Sequence, residues 1–330
     1  MSFLSVIEEA LARDALPLKI YHILTKFYAS YKVAITKNGH KIEEYDPILL
    51  QFLDLIIKNL QTPHEFEPFH RALRKPFDYY HFGLDMLRPL VIFEQSKSLG
   101  HEELKKAEEQ LKKGENVILF ANHQTEPDPQ AISLLLEKKY PLLAEEMIFV
   151  AGHRVISDPL AVPFSLGRNL LCIYSKKYIE HPPEEKEKKQ LHNQRTMKQM
   201  GQLLADGGRC IYVAPSGGRD RPDAAGSIHV AKFDPQSIEM FWLMSQQSDH
   251  PCHFYPLSLM TYDLLPPPCI TQRELSEKRE AHCTPIHLIL GKEINMNDFP
   301  GSEKKDKRAR RKIRAEYIWD QVVEGYNRLL

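Results

Sequence analysis

The chain of 330 residues carries 44 Lys plus Arg against 44 Asp plus Glu, so no net field draws it toward nucleic acid or an anionic surface. With 42% hydrophobic and 27% charged residues it reads as an ordinary globular protein, long enough for one large domain plus a small one, or two domains. Cys172, Cys210, Cys252, Cys269 and Cys283 are scattered and form no C-x-x-C pair, which argues against a disulfide framework or structural zinc site and fits reduced thiols in a cytosolic compartment.

The opening "MSFLSVIEEALARDALP" meets acidic residues early and lacks a basic start, which argues against a secretory signal or an organelle transit peptide. Residues 1–65 read as a small helical bundle domain. "LKIYHILTKFYASYKVAI" and "DPILLQFLDLIIKNLQ" both have apolar residues at helical spacing. In the second, Asp46 is expected to cap and Pro47 to fill the first turn. Gln51, Asp54 and Lys58 break its apolar run, and no stretch reaches the ~20 apolar residues of a membrane span.

From about residue 100 short apolar runs alternate with helices. Strands are expected at 117–121, 147–151, 170–174, 210–214, 254–260 and 286–290, with helices at 129–139, 184–206 and 235–246. Continuous apolar strands between helices predict an α/β domain over 66–330, its mixed, largely parallel sheet flanked by helices. "PPEEKEKK" and "PPPCITQRELSEKREAH" read as surface loops or solvated helix edges. The basic run "KKDKRARRKIR", 304–314, opens a last helix whose apolar face is Ala315, Ile318, Val322, Tyr326 and Leu329. A solvated helix surface is the simplest reading of that run and a docking patch for an acidic protein the sharper one. Nucleic-acid binding comes third, because aromatic interleaving is absent.

Three segments carry candidate chemistry. In "VILFANHQTEPDPQA", His123 lies in the loop after a strand and Asp128 at the start of the next helix, the end of an α/β sheet where ligands bind. A histidine base needs a carboxylate to fix its tautomer. On this segment alone, a helix-capping Asp128 beside an ordinary loop histidine is the simpler reading. The same spacing recurs as His153 and Asp158 and as His229 and Asp234, so the spacing is uninformative, and both copies read as structural. In "CIYVAPSGGRDRPD", Ser216-Gly217-Gly218 can turn N–H groups toward an anion. Arg219 and Arg221 alternate with Asp220, so an extended backbone points both guanidinium groups one way, suited to a phosphate dianion. "LLCIYSKKY" brings Lys176 and Lys177 to another strand end. Together the three describe a general base beside a phosphate pocket. Walker A, G-x-G-x-x-G and G-x-S-x-G patterns are absent, which weakens NTPase, dinucleotide and serine-hydrolase readings.

The blocks "NHQTEPDP", "DPLAVPFSLGRNLLCIYSKK", "APSGGRDRP" and "YPLSLMTYDLLPPP" resemble the soluble glycerol-3-phosphate 1-O-acyltransferases of the plastid and related bacterial type. The resemblance implies transfer of a fatty acyl group from acyl-carrier protein or coenzyme A to the 1-hydroxyl of glycerol 3-phosphate. It makes His123 the base, Asp128 its partner, and Lys177, Arg219 and Arg221 the phosphate ligands, with Tyr178 and Ser216 as further candidates. Tyr178 stands where the family commonly has a histidine, which bears on phosphate affinity rather than reaction type. No cofactor or metal is implied, direct transfer without an acyl-enzyme is expected, and a peripheral membrane contact would serve product release. The compartment implied is a bacterial cytoplasm, or a plastid stroma after loss of a transit peptide. The competing readings are a thioester or phosphate-ester hydrolase with the same residues, and a non-catalytic acyl-carrier-binding module.

Overall fold

The computed structural model describes residues 2–268 and 275–330, except for the side chains of Lys176 and Lys177. Three helices open the chain, Phe3–Ala12, Leu18–Lys37 and Asp46–Gln61. Their apolar faces, including Ile7, Leu24, Tyr31, Leu49 and Ile56, are buried in one core with Tyr80, Leu84 and Leu264. Ser2 caps the first helix, its hydroxyl accepting from Ser5 N at 3.4 Å. Asp46 departs from expectation: it is the first helical residue, with no side-chain cap bond on its own helix. Its Oδ1 accepts instead from Phe3 N at 3.4 Å, tying the first helix to the third.

Among the described residues ten strands follow: β1 Phe69–His70, β2 Lys97–Leu99, β3 Asn116–Ala121, β4 Ile148–Gly152, β5 Asn169–Ile173, β6 Cys210–Val213, β7 Arg221–Pro222, β8 Ile228–His229, β9 Cys252–Met260 and β10 His287–Leu290. Eight form one sheet in the order β1-β5-β4-β6-β3-β9-β10-β2. The five from β5 to β9 run parallel. β10 reverses against β9 and is joined in parallel by β2, while β1 runs antiparallel to β5. The sheet is therefore mixed and largely parallel, and all six expected strands are present. β1, β2 and the small β7–β8 hairpin were not expected.

Strands buried on both faces read as continuous apolar runs because alternate residues feed different cores. Val117, Leu119 and Ala121 of β3 pack under the helices His101–Lys112 and Asp128–Leu136. Ile118 and Phe120 pack on the other face with residues of Lys186–Asp206, Pro235–Ser245 and Lys307–Asn327. Asp306 caps the last of these, accepting from Arg308 N and Ala309 N, and Ala315, Ile318, Val322, Tyr326 and Leu329 are buried as expected. Arg314 is not solvated. It is 5% exposed, donates to Met296 O and pairs with Glu239. Tyr326, at the other end of this helix, lies beside Gln124. Twelve residues at ~1.5 Å each put the basic run about 18 Å or more from that loop. Among the described residues, no helix is long and apolar enough to cross a membrane.

Gly167 lies where the chain turns into β5 against the helix Tyr79–Leu87; a Cβ there would sit 2.4 Å from Tyr79 O and 2.7 Å from Tyr80 N. Backbone cannot give way as a flexible side chain can. Gly167→Ala is expected to cost about 2 kcal/mol or more, seen as a lower urea midpoint at unchanged slope.

Candidate active site

The loop between β3 and the helix Asp128–Leu136 folds back on itself around the Asp128 carboxylate, which is 1% exposed. Oδ2 accepts from His123 Nδ1 at 2.7 Å and from Gln124 N at 2.8 Å. Oδ1 accepts from Thr125 N at 3.2 Å and from Thr261 Oγ1 at 2.5 Å. Asp128 is thus no helix cap: it is the first helical residue, and the cap position, Pro127, makes no side-chain bond. Its charge is satisfied by the loop that precedes it and by the end of β9. With Nδ1 held, the proton on the neutral ring is placed there and Nε2 is left as the acceptor. His123 stays partly exposed, and Nε2 has no hydrogen-bond partner among the described residues.

Asn122 fixes the loop from the other side. Its Nδ2 donates to Leu259 O and to Asp220 Oδ2, its Oδ1 accepts from Leu259 N, and its carbonyl accepts from the Tyr212 hydroxyl. Gln124 Oε1 accepts from Thr261 N and Tyr262 N. The two residues flanking His123 are therefore stitched to β9 and its following turn, and the histidine cannot swing without breaking them.

The second segment joins here. Asp220 N donates to His123 O at 2.6 Å. Its side chain turns inward, fully buried, accepting from Asn122 and from Ala231 N. Burial pushes this carboxyl above its ordinary range, and the Asp128 charge adds to that. Extended backbone sends neighbours to opposite sides, so with Asp220 turned to the core the flanking Arg219 and Arg221 share the other side, both partly buried. Burial lowers the Arg221 pKa, and repulsion from Arg219 lowers it further. Ser216 Oγ donates to Gly218 O, and Gly217 takes a φ of +67°. In the third segment Lys176–Ile179 is a short helix directly after β5. The Lys177 side chain lies outside the described residues. The Tyr178 ring sits 6.4 Å from that of His153.

One partner was missed. Glu277, 3% exposed, pairs with both Arg219 and Arg154. It lies in the segment read as a solvated edge, and that reading is corrected: Ser276, Glu277, Arg279 and Ala281 are all buried. Arg279 donates to Glu126 Oε2 at 2.9 Å and to Asp158 Oδ2 at 3.1 Å. Burial would raise the Asp158 carboxyl, but Arg279 and the amides of Leu160 and Ser276 hold it below its usual range. Asp158 is thereby a structural anchor and no partner of His153, which meets Ser157 Oγ at 3.0 Å. His229 likewise meets Asp223, while Asp234 caps a helix by accepting from Gln236 N.

Beside His123 opens an apolar cleft. Its floor is the sheet, through Phe149, Ala151, Leu170 and Tyr212, and its roof is the N-terminal helices, through Leu24, Phe27 and Phe52. A partly exposed imidazole at the mouth of such a cleft, with two guanidinium groups on the next loop, can move a proton while an anion and an apolar chain are held. Glu277→Ala would remove the buried carboxylate that Arg154 and Arg219 share; it is expected to cost about 3 kcal/mol of stability, read by urea denaturation.

Residues 104–260 match the family model described as Acyltransferase. The chain is 40% identical over 317 residues to a chloroplastic glycerol-3-phosphate acyltransferase of Spinacia oleracea, covering 94% of this chain and 66% of that protein. It is 40% identical over 329 residues to one of Cucurbita moschata, covering 98% and 71%, and 36% over 326 residues to one of Arabidopsis thaliana, covering 98% and 71%. The chain spans about two thirds to seven tenths of the length of these relatives. Agreement of this extent over nearly every residue makes the chain a member of the glycerol-3-phosphate acyltransferase family.

Proposed function

We propose that the protein moves a fatty acyl group from an acyl thioester, carried by acyl-carrier protein or coenzyme A, to the sn-1 hydroxyl of glycerol 3-phosphate, giving 1-acyl-glycerol 3-phosphate. Acylation of glycerol 3-phosphate comes with the family. The observation that carries the mechanism is the 2.7 Å contact from His123 Nδ1 to Asp128, which leaves Nε2 as the free base at the cleft mouth. Arg219 and Arg221 flank a residue whose amide is bonded to the His123 carbonyl. A phosphate held by those two arginines, with Lys177 as a further ligand, keeps the glycerol hydroxyl within reach of Nε2.

In the reaction Nε2 takes the hydroxyl proton as the oxygen attacks the thioester carbonyl carbon. Asp128 stabilises the imidazolium that forms. The tetrahedral intermediate collapses, the C–S bond breaks, and the departing sulfur takes the proton back as a thiol. Direct transfer is supported by the nearby hydroxyls being engaged elsewhere: Thr125 donates to Leu265 O, Thr261 to Asp128, and Ser216 to Gly218 O. The buried thiols of Cys172 and Cys210 are pushed up by desolvation, away from the thiolate a nucleophile needs. The acyl chain lies in the apolar cleft. The relatives are named chloroplastic, and a plastid stroma or a bacterial cytoplasm fits this reading, with the amphiphilic product leaving at a membrane surface.

His123→Ala is expected to lower the transfer rate by about 10²–10⁴-fold with the fold intact by circular dichroism. Asp128→Asn should lower it comparably by stabilising the wrong tautomer. Normal turnover in either variant removes the assigned base. Arg219→Ala should raise KM for glycerol 3-phosphate about tenfold or more, the loss of one charge-assisted contact, with a smaller effect on kcat; unchanged saturation takes Arg219 out of the phosphate site. Free thiol released at the same rate with and without glycerol 3-phosphate would mark a hydrolase instead.

A further inference from the structure

The apolar cleft ends on a charge. Arg168 lines it and is 3% exposed. Nη1 donates to Ser133 Oγ at 2.6 Å, and Cζ lies 4.7 Å from the centre of the Tyr80 ring. Nε and Nη2 have no hydrogen-bond partner, and no carboxylate pairs with the group among the described residues. A buried cation is ordinarily paired, so this one is anomalous. Burial pushes its pKa down to about 10, which still leaves it charged at neutral pH.

The strand register gives its depth. Leu119, Tyr212, Phe149 and Leu170 share one level across β3, β6, β4 and β5. His123 follows the end of β3, beyond that level, and Arg168 precedes the start of β5, before it. Of the lining residues on the sheet side, Arg168 lies furthest from His123.

Taking the proposed acyl transfer as given, we propose that Arg168 is the stop of the acyl cleft, a specificity-determining residue that limits the length of chain the cleft takes. Up to that length each methylene entering the apolar cleft favours binding by about fourfold. Beyond it the methyl end meets a buried guanidinium whose free N–H groups it cannot satisfy, and the gain reverses.

The test is kcat/KM for saturated acyl-coenzyme A thioesters of 12 to 20 carbons with saturating glycerol 3-phosphate. The wild-type profile should fall tenfold or more between its optimum length and 20 carbons. Arg168→Met, similar in length but uncharged, should raise the ratio of the 20-carbon to the 16-carbon rate at least tenfold, while Arg168→Lys should keep the wild-type ratio. A wild-type profile without a fall, or an unchanged ratio in Arg168→Met, overturns the stop. Should Arg168→Met fail to fold, Leu170→Phe, which narrows the cleft at nearly the same depth, decides: the optimum should shorten by about two carbons, and an unmoved optimum overturns the proposal. Absence of any transfer from the 16-carbon donor in the wild type would sink the acyltransferase mechanism itself. Transfer with a flat length profile would sink only the role of Arg168.

Discussion

The buried carboxylate of Asp128 is the constraint around which the site is built. A lone carboxylate at that depth would cost several kcal/mol, so its four donors are obligatory rather than decorative. They come from His123, Gln124, Thr125 and, across the sheet edge, Thr261. Any rearrangement of the loop, or of the turn after β9, would leave part of the charge unpaired. The orientation of the imidazole is thereby coupled to the packing of the whole carboxyl edge of the sheet.

A second set of charges holds the neighbouring segments. Arg279 joins Glu126 of the loop after β3 to Asp158, and Glu277 joins Arg154 to Arg219. Desolvation makes such pairs weak contributors to net stability, but each is costly to break on one side only. What they supply is position: the segment carrying Glu277 and Arg279 can close over the site in one register. Asn122 and Asp220 do the same between the two functional loops with neutral and charge-assisted bonds.

Much of this architecture was legible in the residues, and what was not has physical causes. The six principal strands showed because strands covered on both faces are continuously apolar. β1, β2 and the β7–β8 hairpin are two or three residues long, too short for any period, and their pairing partners create them. The spacing of His123 and Asp128 told nothing, since Asp158 is claimed by Arg279 and Asp234 by a helix end; strand-end placement and the company of two arginines told more. Glu277 was hidden because the burial of a charge is decided by partners far away in the chain, and its own neighbours are polar. Asp220 looked like a spacer between arginines, although the alternation that sets them on one side also turns it to the core. Phe27 and Phe52 could not be assigned to a cleft, because a helical apolar face has the same spacing whether it meets another helix or a ligand.

That shared cleft has a consequence for the first three helices. Leu24, Phe27 and Phe52 roof a space whose floor belongs to the sheet, so a ligand that fills it touches both and can bind only while they are docked. Ligand occupancy and the docking of these helices are then linked equilibria. Such a ligand stabilises the docked arrangement by RT ln(1 + [L]/Kd), and at a hundred times Kd that is about 2.7 kcal/mol. The helices that read as a separate bundle in the sequence are, in thermodynamic terms, linked to whatever fills the cleft they roof.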